Sequence, residues 1–328
     1  RGGLAVTTMV AAEGFAAISG SNSATVAAMG RIMVPELKKD GYPVDFAAGT
    51  IACCGTVGII THPSIVFILY GVTAGTSIGD LFLGGVFPGL VLVGAMSTAA
   101  LLVCWRKGYG STFPFDFRTA LRAVWKAKLA FGAIAIILGG IYGGLFTPTE
   151  AAGIAVAYCL FAGLFVTREI KVKELPKIMA QSSGVNGMIA PIIALAMIFS
   201  EVLAVTGIPE SGVSYILSFS ENPTVVMGLV LVILLIAGCV MEATPNILLL
   251  TPLLVPVANS LGYHPVHFGV MMVVTLAIGF VTPPLGLNLF VASSVTGVPF
   301  TRIALKALPY IMACLLYTSD AADERGCV

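Results

Sequence analysis

The chain has 328 residues, of which 58% are hydrophobic and only 10% charged, with a formal net charge of +1 and a mean hydropathy of +1.00. A soluble domain cannot hide that apolar excess behind a polar surface, and the near-neutral balance argues against nucleic acid as a partner. What remains is a polytopic, all-α membrane protein.

In chain order, Leu4 to Leu37 is apolar and rich in small residues, but the run Ser19–Ser23 (SGSNS) divides it. Each half is short for about 30 Å of hydrocarbon, so a re-entrant helical hairpin with its tip at the break is expected. Val44 to Val72 is interrupted at Thr61–Ser64 (THPS), and Leu81 to Trp105 is an uninterrupted span. Asp116 to Lys128 sets Arg118, Arg122 and Lys126 opposite Leu121, Val124 and Trp125, the pattern of an interfacial amphipathic helix. Spans resume at Leu129 to Phe146 and, past Thr147–Glu150 (TPTE), at Ala151 to Val166. Val172 to Ser183 reads as a surface segment, Met188 to Val205 as a span and Gly207 to Phe219 as an interfacial piece. Pro223 to Leu261, broken at Glu242–Asn246 (EATPN), is a second hairpin; His264 to Ser294 is broken at Thr282–Gly286 (TPPLG), and Arg302 begins a last span.

The ends stand apart. The chain opens inside an apolar pattern at Arg1, so a preceding part is expected, and Cys314–Glu324 looks like the translation of a sequencing-library adapter. Residues 314–328 are therefore set aside from fold reasoning; a genuine polar tail is the alternative. Cys53, Cys54, Cys104, Cys159 and Cys239 show no metal or redox spacing and read as small packing residues.

Basic residues orient the spans. With Arg31, Lys38 and Lys39 placed in the cytoplasm, alternate crossings bring Arg106, Lys107, Arg118, Arg122, Lys126, Lys128, Arg168, Lys171, Lys173, Lys177, Arg302 and Lys306 to that same side.

Sliding the sequence on itself by 221 positions superposes Val34 and Pro35 on Val255 and Pro256, Gly41 and Tyr42 on Gly262 and Tyr263, and Gly58 on Gly279. Thr61 falls on Thr282, Pro63 on Pro284 and Ser23 on Thr244. Five spans between the hairpins make the copies opposite in orientation. Inverted repeats with discontinuous helices mark secondary transporters, whose site lies near the midplane between repeats. Broken helices leave backbone groups without intrahelical partners; carbonyl ends suit a cation such as Na⁺ and amide ends a carboxylate.

The candidate ligands are accordingly Ser19, Gly20, Ser21, Asn22 and Thr25 at the first tip, with Thr61, Pro63 and Ser64 at the facing break. In the second repeat they are Glu242, Thr244 and Asn246, with Thr282, Pro283, Pro284 and Gly286. Small hydroxyl residues also let helices pack closely, and that reading stands beside the first. Of the acids in or beside apolar segments, Glu242 is favoured because it sits at a break and in the repeat. Glu150 reads as a helix cap, and Glu13 and Glu201 as locally paired or interfacial. No Lys or Arg is placed to clamp an anion at mid-membrane. No zinc-protease motif, phosphate loop or catalytic constellation accompanies His62, His264 and His267, so the chain is expected to be neither an enzyme nor an ATPase and to need no cofactor beyond a coupling ion.

At these residues the sequence resembles the large membrane subunit of tripartite ATP-independent periplasmic (TRAP) transporters. The likeness rests on Arg1–Ala5, Phe15–Ser21 with Ala24 and Thr25, Gly41 with Tyr42, Tyr70 with Gly71, Thr147–Ala151, Met241–Pro245 and Thr282–Gly286, and covers residues 1–313. His62 departs from it, standing where the family usually has proline. The resemblance implies an elevator-type transport domain driven by Na⁺, a small membrane subunit and a periplasmic substrate-binding protein as partners, a multi-pass location in a bacterial inner membrane, and a small organic acid such as a C4-dicarboxylate or sialic acid as substrate. It makes residues 1–72 and 222–297 the two repeats of the transport domain. Residues 73–221 become scaffold spans and arm helices, and 298–313 the start of a truncated last span. A single-component carboxylate transporter and a membrane-embedded enzyme are the alternatives.

Overall fold

A computed structural model describes residues 1–111, 127–207 and 222–323, together with Arg118, Arg122, Trp125, Ser211 and Ser214, and the secondary structure among them is helical. The segments expected to be interfacial at 116–128 and 207–219 lie for most of their length outside the described residues.

Helix α1 (Gly3–Ser19) stops at Gly20, whose φ of 59° lets its N–H return to the Ala16 carbonyl at 2.8 Å. Ser21 is extended and caps α2 (Asn22–Lys39), its hydroxyl accepting from the Ala24 amide; Lys38 and Lys39 complement the negative end of that helix. Helices α3 (Val44–Val57) and α4 (Ile65–Ala74) flank the first break. Next comes α5 (Ile78–Lys107), capped by Ser77 and long enough to cross a bilayer. One face of α5 buries Leu81, Gly85, Leu92 and Met96, while Leu83, Phe87, Leu90 and Trp105 are exposed on the other. An outward apolar face is what lipid contact allows and water would not.

The chain forms two compact units, Arg1–Thr112 with Ser200–Val328, and Phe113–Phe199. The smaller contains α6 (Lys128–Tyr142) and α7 (Pro148–Phe161), which runs on as a π-helical turn over Ala162–Val166. These helices pack as a pair, with the Tyr158 hydroxyl donating to the Leu129 carbonyl at 3.1 Å. Then α8 (Leu175–Thr206) is one helix of 32 residues where the sequence reads a surface segment and a separate span. The four residues 184–187 (GVNG) lie between those two stretches, and a helical glycine costs about 1 kcal/mol against alanine, too little to break a helix.

The larger unit resumes with α9 (Pro223–Val240), α10 (Ala243–Ser260), α11 (Pro265–Gly279), α12 (Leu287–Thr296) and α13 (Phe300–Asp323). Shifted by 221 positions, α2 falls on α10, and α3 and α4 fall on α11 and α12 to within a residue or two at each end. Individual bonds recur at the same shift. Tyr42 donates to Leu37 and Tyr263 to Ala258, both at 3.0 Å, each after a glycine with φ 82°. The Thr61 hydroxyl donates to Val57 at 2.9 Å and the Thr282 hydroxyl to Ile278 at 2.8 Å. Both breaks contain a cis X-Pro bond, His62–Pro63 and Pro283–Pro284.

The half-helices beyond the breaks change partners. Helix α4 packs against α10 and α11 of the other repeat, and α12 packs against α2 and α3. The Tyr70 hydroxyl of α4 donates to the Pro265 carbonyl of α11 at 2.7 Å. At the centre, α3 is buried from Phe46 to Val57 and α11 is buried along nearly its whole length. Glycine permits that density: the α9 and α11 backbones meet at Gly238 and Gly279, where a Cβ on either would lie 2.8 Å from backbone atoms of the other helix.

Candidate functional site

The first tip is an oxygen cluster. The Thr25 hydroxyl donates to the Ser21 carbonyl at 2.8 Å and lies 3.1 Å from the Ser19 hydroxyl, which is itself 3.5 Å from that carbonyl. The end of α3 presses on this cluster: a Cβ on Gly58 would sit 2.8 Å from the Ser21 carbonyl and 3.0 Å from Thr25 Oγ1. A Cβ on Gly20 would lie 3.3 Å from the Pro63 carbonyl. Ser19, Gly20, Ser21, Asn22 and Thr25 are thus joined to the first break, as their sequence pattern implies. Thr61 and Ser64 turn their hydroxyls back to the carbonyls of Val57 and Ile59 instead. His62 is buried, its ring centroid 5.7 Å from that of Phe67 and 5.4 Å from that of Phe82, so it serves the break as an aromatic filler.

The second tip is built differently. Asn246 is fully buried, its amide nitrogen donating to Ala237 at 3.2 Å and Met241 at 3.0 Å, which leaves Oδ1 buried without a partner. The Gly286 amide at the break donates to the Cys239 carbonyl at 3.1 Å, tying hairpin to break. Glu242 occupies the N-cap position of α10 but makes no capping bond and is exposed, as are Pro283 and Pro284. Thr244 and Thr282 are half-buried.

The other acids divide. Glu150 forms a capping box with Thr147, its Oε2 accepting from both the Thr147 amide and hydroxyl at 2.8 Å, as a helix cap should. Glu201 is exposed. Glu13 is half-buried: its carboxylate meets the Thr61 hydroxyl, its Oε2 is buried without a hydrogen bond, and among the described residues it forms no ion pair.

Sequence reasoning also missed Asn288. It is fully buried in the first turn of α12, and neither its Nδ2 nor its Oδ1 has a partner; Asn22, 2% exposed, has an unpartnered Nδ2. The available signal was a lone asparagine in an apolar helix just past a break.

Paired broken helices carrying buried polar groups, within an apolar helical body, define the class of membrane transport permeases. Residues 1–318 match the family model described as "Tripartite ATP-independent periplasmic transporter, DctM component". The chain is 42% identical over 317 residues to the C4-dicarboxylate TRAP transporter large permease protein DctM of Pseudomonas aeruginosa, covering 97% of this chain and 74% of that protein. It is 40% identical over 322 residues to the isethionate TRAP transporter permease protein DctMQ of Oleidesulfovibrio alaskensis, covering 97% and 51% respectively. With the sialic acid TRAP transporter large permease protein SiaM of Vibrio cholerae it shares 34% identity over 298 residues, covering 91% and 70%. The chain belongs to the DctM family of TRAP transporter permeases, and it is a transport subunit, not an enzyme.

Proposed function

We propose that this chain is the large membrane subunit of a Na⁺-coupled TRAP transporter that takes a small organic acid, such as a C4-dicarboxylate or sialic acid, into a bacterial cell across its inner membrane. The observation that carries this reading is the oxygen cluster of Ser19, Ser21 and Thr25 held against the end of α3. Hard monovalent cations are bound by oxygens of this kind where a helix is interrupted. The second tip supplies the Asn246 Oδ1, with Thr244, Thr282 and Gly286 nearby in sequence. Cation binding neutralises part of the acid's charge and orders the tips, which lets the repeats move as an elevator against the remaining spans. The named substrates of the relatives are anions, C4-dicarboxylates, isethionate and sialic acid, and a site without Lys or Arg needs a cation to balance them. A small membrane subunit and a periplasmic binding protein complete the system.

The test is uptake of labelled succinate and sialic acid into proteoliposomes carrying the complete transporter, with its binding protein outside. Accumulation is expected only with an inward Na⁺ gradient. Uptake that is indifferent to Na⁺ removal counts against the mechanism.

A further inference from the structure

We propose that Asn22 and Asn288, one amide from each repeat, together hold a carboxylate of the transported acid; the inference rests on the uptake reading above and assigns its anion site. Both residues lie in the first turn of a helix, Asn22 opening α2 and Asn288 standing second in α12. Such turns carry the positive end of the helix dipole; at α12 the backbone N–H of Asn288 is itself taken up by the Phe280 carbonyl at 3.0 Å, which leaves the side-chain amide to meet a ligand. Both side chains are buried, and both present an amide nitrogen that nothing in the protein satisfies. Buried donors are paired in native proteins unless a ligand or water completes them.

Both residues border the last turn of α3. A Cβ on Gly55 would lie 2.5 Å from Asn288 Nδ2, and the same position is also filled by Val26 of α2. A Cβ on Gly58 would lie 3.1 Å from the Asn22 Cα. Gly55 and Gly58 stand about one turn apart along α3, as Val26 and Asn22 do along α2, so the Asn288 amide and the Asn22 backbone border α3 about one helical pitch (~5.4 Å) from each other. Two amide donors at two positive helix ends suit a carboxylate, which has only acceptors. The cation reading belongs to the neighbouring cluster of Ser19 and Thr25, which would set a positive charge beside the bound anion. A packing role alone leaves the Asn288 amide unexplained, since leucine would fill a similar volume without burying an unsatisfied donor and acceptor.

The experiment compares wild type, N288L and N22L in the complete transporter, reading the unliganded melting midpoint, the succinate concentration for half-maximal uptake and the Na⁺ concentration for half-activation. Each leucine variant is expected to melt no lower than wild type and to need at least about tenfold more succinate, which is about 1.4 kcal/mol of binding; N288L is also expected to keep its Na⁺ half-activation within about twofold. N288D, which sets a like charge against the anion, is expected to lose uptake while keeping stabilisation by Na⁺. Unchanged succinate half-saturation in N288L overturns the proposal. So does a Na⁺ shift as large as the succinate shift. If N288L does not fold, N288S is put to the same test with the same criteria. If wild type takes up no acid with Na⁺, the uptake reading fails by itself. The amide pair is then judged by the melting shift that a panel of mono- and dicarboxylates induces in wild type: a shift lost in N288L or N288S supports it, and none in wild type overturns it.

Discussion

At the first hairpin tip, Ser19, Thr25 and the Ser21 carbonyl turn their oxygens toward one another; at the second, Asn246 commits its nitrogen to the carbonyls of Ala237 and Met241 and keeps one oxygen free. Backbone bonds of the two repeats recur at a shift of 221 positions, down to the glycines with φ 82° and the threonine hydroxyl that closes the end of each central helix. Duplicated backbone therefore fixes where a helix breaks, while side chains decide what the break can bind. Under the Na⁺-coupled uptake proposed above, the first tip would be the stronger cation site and the second the weaker.

Six substitutions break or sharpen that contrast. The largest effect is expected where the two copies depend on rigid backbone: Gly279→Val drives a side chain into Gly238 and Leu235. Overpacking of this kind costs about 3 kcal/mol or more when neither side can yield. Gly58→Val meets a tip oxygen instead, so it should retain more thermal stability and lose more Na⁺ activation than Gly279→Val; the opposite ranking in melting and uptake assays removes the contrast. Next, Thr25→Val should raise Na⁺ half-activation about tenfold, about 1.4 kcal/mol, with normal expression. Thr244→Ala should also weaken Na⁺ activation, but by roughly threefold, about 0.6 kcal/mol. Equal effects would mean that the tips are equivalent sites after all. Third, Tyr70→Phe deletes the bond to Pro265 that links α4 to the other repeat; a loss of about 1 kcal/mol is expected in denaturant titration. Smallest is Glu242→Gln, expected to change stability by less than about 0.5 kcal/mol and to leave Na⁺ half-activation unaltered, because the carboxylate is exposed. A collapse of Na⁺ dependence there would return Glu242 to the site.

Much of this architecture was legible because breaks announce themselves chemically. Glycine and proline at 41, 63, 262 and 284, and polar runs inside apolar segments, can be read without coordinates. The repeat was legible for the same reason, since its matches fall on residues with special backbone demands. Three features were not. Asn288 matters because Gly55, more than 230 positions earlier, leaves room for its amide, and no local pattern encodes a neighbour at that distance. Glu13 lies on an apolar stretch where nothing foretells that Thr61 stands opposite. Glu242 occupies the right place in the chain, but an N-cap residue can point its side chain toward or away from the helix, and sequence does not decide which. The fusion of the segments around Gly184 and Gly187 into α8 has the plainest cause: glycine weakens a helix without ending it.

The crossing of α12 onto α2 and α3 has a consequence for biosynthesis. The surface that receives α12 emerges from the ribosome about 230 residues before its cover does, and at roughly 5–20 residues per second it waits on the order of ten seconds or more. During that interval the buried amides and the glycine faces of α3 must be shielded by lipid, insertion machinery or transient water. The segment carrying α2 and α3 is thus made as an open clasp, and only the later arrival of α12 shuts it.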